Sequence, residues 1–109
     1  QKNDINNMHY INGKIKYSNG NLYHGDFHIL FEKGAASIRE HGIGKMTFSD
    51  GTTYAGEFKN GHFDGQGYLV YANGNKYDGG FKNGLYYGYC IVKTPLETKR
   101  IKLKIAVLK

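Results

Sequence analysis

His24, Asp26 and His28 are the chain's nearest approach to a chemical site. On an extended strand these alternate residues share one face. Two imidazoles and a carboxylate are zinc-ligand types, but the set lacks a fourth ligand. The corresponding positions further along are Ala55, Glu57 and Lys59, an ordinary solvated set. No metal and no other cofactor is therefore expected, with His24, Asp26 and His28 the weak candidate. Gly42-Ile43-Gly44-Lys45-Met46-Thr47 has the flavour of a phosphate loop but not the G-x-x-x-x-G-K-(S/T) spacing. Cys90 has no nearby His in sequence to make it a thiolate nucleophile, and a semi-buried apolar role suits it better. Asp64 and Asp78 fall at turn and outer-face positions, and no serine lies in a nucleophile elbow. A catalytic role is not expected, and a binding role is.

The elements that position these residues are set by a period of 23. It carries Gly65, Gly67, Tyr71, Gly74, Tyr77, Gly79, Phe81, Gly84 and Gly88 onto Gly42, Gly44, Phe48, Gly51, Tyr54, Gly56, Phe58, Gly61 and Gly65. A third copy, Gly13, Tyr17, Gly20, Tyr23, Gly25 and Phe27, lies upstream at an offset of 31. Such self-similarity marks a repeat architecture, whose units bury their apolar faces by stacking.

The unit reads G-x-G-x-(I/M/L)-x-(Y/F)-x-(D/N)-G-x-x-Y-x-G-x-F-x-x-G and resembles the MORN repeat (membrane occupation and recognition nexus). The likeness is close over 42–65 and 65–88, interrupted over 13–27, and covers roughly residues 10 to 90. It implies tandem β-hairpins in a scaffold of the kind found in cilia, parasite cytoskeletons and membrane-apposed junctions.

The residues themselves point the same way. Sixteen Gly, ten Tyr and six Phe against one Pro disfavour helix, because Gly penalises helix interiors and aromatics suit pleated surfaces. Tyr54, Gly56 and Phe58 fall on one face of a strand, Ala55, Glu57 and Lys59 on the other, and Glu57 is expected to be solvated. Asn60-Gly61 and Asn83-Gly84 suit tight hairpin turns. The expected fold is all-β: a single-layer antiparallel meander of tandem hairpin repeats, extended and twisted. Residues 1–12 form an N-terminal segment or partial repeat, 13–88 three repeats, and 89–109 a degenerate basic cap strand.

Glycines between rings would leave slots for rings of adjacent strands, Gly56 and Gly79 among them. The resulting ladder of Tyr17, Tyr23, Phe27, Phe48, Tyr54, Phe58, Tyr71, Tyr77 and Phe81 is expected to form an aromatic groove for a partner peptide or helix. On the other face, Tyr68, Val70 and Tyr89 interrupt a polar surface, either as a contact patch or as a surface covered by the returning tail. The first repeat holds eight extra residues within 28–41, making a long arm bearing Ile29, Leu30 and Phe31. That arm is either a binding protrusion or a mere lengthening closed by Lys33-Gly34.

The net charge of +6 resides mostly in residues 89–109, which carry +5 and leave +1 for residues 1–88. A near-neutral repeat body disfavours nucleic acid. The alternative to a protein scaffold is a peripheral module contacting anionic phospholipid through Lys99, Arg100, Lys102 and Lys104. No apolar run is long enough to span a membrane, and a single cysteine fits a reducing compartment. The expected setting is cytoplasmic, cytoskeleton- or cilium-associated, in a larger complex or homo-oligomer. Gln1-Lys2-Asn3-Asp4 has neither a starting Met nor a signal-type segment, so a fragment is expected.

Overall fold

The computed structural model describes residues 8–107. Eight strands run in chain order: β1 (Met8–Lys16), β2 (Leu22–Glu32), β3 (Ala35–Thr47), β4 (Thr53–Lys59), β5 (His62–Val70), β6 (Lys76–Lys82), β7 (Leu85–Lys93) and β8 (Thr98–Val107). Each pairs antiparallel with the next, giving one open sheet of extents 55 × 30 × 19 Å. Three of the hairpins turn where both central residues take positive φ: Lys33-Gly34 (51°, 78°), Asn60-Gly61 (49°, 84°) and Asn83-Gly84 (51°, 82°).

Register aligns the repeats into rows that cross the sheet. One row is glycine across six strands, Gly13, Gly25, Gly44, Gly56, Gly67 and Gly79, and it stops at Cys90 in β7. Beside it runs the core row Ile15, Tyr23, Met46, Tyr54, Leu69, Tyr77 and Val92. Tyr23 and Tyr54 lean over the glycines and Tyr77 over Cys90, and the three donate their hydroxyls to the carbonyls of Asp26, Glu57 and Gly80, at 2.6, 2.7 and 2.7 Å. Burial pushes all three phenols well above the usual tyrosine range.

The glycines divide the labour differently from the sequence expectation. The rings lie over Gly44 and Gly67: a Cβ on Gly67 would sit 2.5 Å from Cζ of Tyr54 and closer still to its hydroxyl. Gly56 and Gly79 instead press on the backbone of the facing strand. A Cβ on Gly56 would lie 2.6 Å from Cα of Gly67, and one on Gly79 would lie 2.5 Å from the carbonyl of Tyr89.

A single sheet has no second layer to cover its core, so the rings cover one another. Phe63 stacks flat on Tyr54 at 3.8 Å, and Tyr86 on Tyr77 at 4.0 Å. Phe58 and Phe81 meet the tyrosine of the preceding repeat edge-on, Phe58 to Tyr23 and Phe81 to Tyr54, each at 5.2 Å. Edge-to-face and offset contacts of this kind add about 0.5–1.5 kcal/mol per pair beyond area burial.

Candidate interaction surfaces

Six of the expected groove residues, Tyr23, Phe27, Tyr54, Phe58, Tyr77 and Phe81, lie in the core at 0–7% exposure. Tyr17, Phe48 and Tyr71 keep part of their surface. The ladder is thus chiefly the core of the sheet, because rings that must shield each other cannot also stand open. The rim residues pair within the sheet with Glu40, Phe63 and Tyr86. Tyr17 donates its hydroxyl to the buried Glu40 carboxylate, Phe48 meets Phe63 edge-on at 6.3 Å, and the hydroxyls of Tyr71 and Tyr86 bond each other. Sequence reasoning missed these three partners, although the period aligns Phe63 with Tyr86.

His24, Asp26 and His28 are not brought together. His24 is exposed, whereas His28 is buried and stacks on His41 at 5.0 Å. Asp26 accepts hydrogen bonds from the Asn12 side chain (2.7 Å) and the Ile43 amide (3.2 Å), which together hold its carboxyl below the usual range. No group of three His, Cys, Asp or Glu residues among the described residues could hold a metal ion. Asp26 and its counterpart Glu57 instead serve the fold. Opposite each, the odd-numbered strand bulges through a glycine of positive φ (Gly42 at 111°, Gly65 at 100°), and the carboxylate accepts the next amide. For Glu57 that bond runs from Gln66 N at 2.8 Å, so Glu57 is more than a solvated outer residue.

The eight extra residues lengthen β2 and β3 by four pairs, from Ile29↔Ile38 to Glu32↔Ala35 and including Leu30↔Ser37 and Phe31↔Ala36. Ile29 and Phe31 share the ladder face, and Leu30 points to the opposite one. On that face Ile38 of β3 pairs opposite Ile29, His9 of β1 meets Phe31 edge-on at 5.5 Å, and Ile11 pairs opposite Phe27 at the arm's base. Phe31, Ile11 and Ile38 are 45%, 41% and 40% exposed.

Two rows of side chains cross the outer face beside the one that holds Asn12, Asp26, Ile43 and Glu57. One runs Lys14, His24, Lys45, Ala55, Tyr68, Asp78, Ile91, Arg100; the other runs Lys16, Leu22, Thr47, Thr53, Val70, Lys76, Lys93, Thr98. Lys14, Lys16 and Lys45, which alternation sets on the polar face, are joined there by Lys76 and Lys93. β8 extends the sheet beside β7 and does not fold over the outer patch, leaving Tyr68 41% and Tyr89 71% exposed beside a shallow hollow of about 500 Å³. Of the tail cations, Lys99 pairs opposite Val92 and Arg100 opposite Ile91, so the pleat sends them to opposite faces. Lys99 also lies 3.7 Å from Glu97. The side chains of Lys102 and Lys104 lie outside the described ones.

An open sheet of stacked hairpins with a glycine row and a ring-over-ring core defines a repeat-sheet protein. The MORN repeat model matches residues 39–53, 54–76 and 77–91, so residues 39–91 belong to the MORN-repeat family. Its unit begins at Tyr54, a different phase of the same 23-residue period. The upstream copy lies before that span, yet Tyr23 over Gly44 repeats the geometry of Tyr54 over Gly67. No curated protein matches the chain.

Proposed function

We propose that this chain is a non-enzymatic scaffold module that binds a protein partner through the inner face of its arm, within a cytoplasmic cytoskeletal, ciliary or membrane-apposed assembly. The carrying observation is Phe31 and Ile38, 45% and 40% exposed on an element longer than the sheet needs, with Ile11 41% exposed on the neighbouring strand at its base. Apolar surface of this kind, on a protrusion, gains most by being covered on binding. Tyr17, Phe48 and Tyr71 supply the rest of that face, while the buried rings hold it in shape. The test is partner capture by the parent and by a protein whose 28–41 segment is cut to the length of the second repeat. The shortened protein should keep the parent's far-ultraviolet circular dichroism and lose its partner. Retention of every partner at full affinity refutes the reading.

The second reading, contact with anionic phospholipid, gains support from the outer-face cations Lys14, Lys16, Lys45, Lys76 and Lys93 more than from the tail. Each lysine near an anionic surface contributes about 1 kcal/mol. Liposome binding that survives removal of residues 96–109 and falls with Lys14→Glu and Lys45→Glu favours it. Binding lost with the tail alone refutes the outer-face assignment.

A further inference from the structure

The arm leaves part of β3 without a neighbour. β4 pairs with β3 only from Gly42 to Thr47, and the β4–β5 hairpin ends at Asn60-Gly61. That turn docks beneath the arm, with Gly61 N bonding Glu40 O at 2.8 Å and Asn60 N bonding Nδ1 of His41 at 3.1 Å. From Arg39 back to Ala35, β3 has β2 on one side and none of the described strands on the other. Backbone groups of alternate strand residues face opposite sides. Because the Glu40 carbonyl faces away from β2, the N–H and C=O groups of Ile38 and Ala36 face away from it as well; the Ile38 carbonyl there accepts a 3.4 Å hydrogen bond from Nη1 of Arg39, which an added strand would take over. Five residues of strand give roughly 16 Å of open edge at about 3.3 Å per residue.

The side chains around this edge suit an added strand. Ala35 and Ala36 are small and exposed, Ser37 is half-buried, and Ile38 offers an apolar contact on the ladder face. Lys33 stands at the tip, Arg39 at the base, and Lys59 and His62 on the hairpin below, all four exposed. Edge strands of this length are ordinarily shielded by a covering element, proline, a bulge or charged side chains; among the described residues no element covers 35–39, the segment has no proline or bulge, and its one charged side chain is Arg39 at the base.

We propose that the Ala35–Arg39 edge takes up an extended acidic peptide by strand addition, its backbone bonding Ala36 and Ile38 and its carboxylates meeting Arg39, Lys33 and Lys59. This deepens the arm-binding reading and rests on it. The peptide lies in the gap above Asn60-Gly61, with alternate apolar side chains against Ile38 and Phe31.

The probes are fluorescein-labelled peptides of about eight residues alternating Asp or Glu with Val, Ile or Thr, titrated against the full chain by fluorescence anisotropy. At least one should bind more tightly than about 1 mM, and N-methylating its alternate backbone nitrogens should weaken binding at least about tenfold. Ala36→Pro should weaken it equally. Its lost N–H faces the open side, so the β2–β3 ladder and the thermal unfolding midpoint should persist. Should that variant fail to fold, the methylated peptides on the parent protein decide alone. Absence of binding by every probe, or binding indifferent to N-methylation, overturns the proposal. A shortened arm that loses its protein partner while folded Ala36→Pro keeps it sinks strand addition and leaves the arm reading standing. A shortened arm that keeps the partner sinks the arm reading.

Discussion

Gly67→Ala tests whether the glycine row exists to admit the tyrosine rings. The new methyl would lie 2.5 Å from Cζ of Tyr54 and closer to its hydroxyl, so ring or strand must move. The ring has little freedom, being fully buried, stacked on Phe63 at 3.8 Å and flanked edge-on by Phe58 and Phe81. Overpacking of this kind costs about 1–3 kcal/mol. Against it, alanine restricts the unfolded chain and returns about 0.4–1 kcal/mol. The net expectation is destabilisation by about 1–2 kcal/mol, read as a shift in the urea midpoint at unchanged slope. Gly13→Ala in the same row is the control. Its methyl would meet Phe27 at an ordinary 3.7 Å, so it should be neutral or stabilising by up to about 1 kcal/mol. Cys90 tests the logic from within, since it occupies the Gly67 place under Tyr77, whose hydroxyl still reaches Gly80 O at 2.7 Å. Equal effects of Gly67→Ala and Gly13→Ala, within about 0.5 kcal/mol, refute the steric account.

Three further outcomes are expected. Glu57→Ala should cost about 0.5–1.5 kcal/mol in chemical unfolding, because the Gln66 amide at the bulge loses its carboxylate and turns to water; a value indistinguishable from zero would show the bulge to be indifferent to it. Burial, then the nearby His41 and Arg39, lower the pKa of His28, so the unfolded chain binds its proton more readily. Stability should accordingly be full above the ordinary histidine value of about 6.5 and fall below it, and His28→Leu should flatten the dependence of the unfolding temperature between about pH 7 and pH 5. Tyr17→Phe removes a donor from the buried Glu40 and should destabilise by about 1–3 kcal/mol. Tyr17→Phe with Glu40→Phe rebuilds the Phe48–Phe63 pair and should raise stability above the parent, since a buried polar pair exchanged for packed apolar groups is often neutral or stabilising by about 1–4 kcal/mol; a double variant weaker than Tyr17→Phe alone counts against the equivalence.

The strand meander, the Asn-Gly turns and the long arm were legible because period-two alternation, a 23-residue repeat and turn chemistry all act locally. The burial of the ladder was not. Alternation assigns Tyr54 and Phe58 to one face but cannot tell a face open to a partner from one sealed by its own rings. That distinction depends on Phe63 lying flat on Tyr54, a contact made across the hairpin. The role of Glu57 was hidden for a related reason. A bulge lets two residues slip out of register opposite it, and simple alternation treats Glu57 as one more solvated side chain. Alternation sets Lys14, Lys16 and Lys45 on the polar face, but a charge sum along the chain leaves the repeat body near neutral because it also counts Glu40, which lies on the ladder face against Tyr17, and Glu57, whose carboxylate the Gln66 amide engages.

The positions held by Tyr17 with Glu40, Phe48 with Phe63, and Tyr71 with Tyr86 show which parts of this lattice are fixed and which are free. The backbone register is the same in all three, yet the contact is a phenol–carboxylate bond, an edge-on ring pair and a phenol–phenol bond. The glycines beneath Tyr23 and Tyr54 admit no such variation, because a Cβ on Gly44 or Gly67 would collide with a ring, whereas beneath Tyr77 the same place holds Cys90. Fixed positions build the sheet and identify the family, but they carry no information that distinguishes one partner from another. Discrimination has to come from positions where the lattice departs from its period. The largest departure in this chain is the arm of β2 and β3, and there the apolar side chains and the unpaired strand edge stand together.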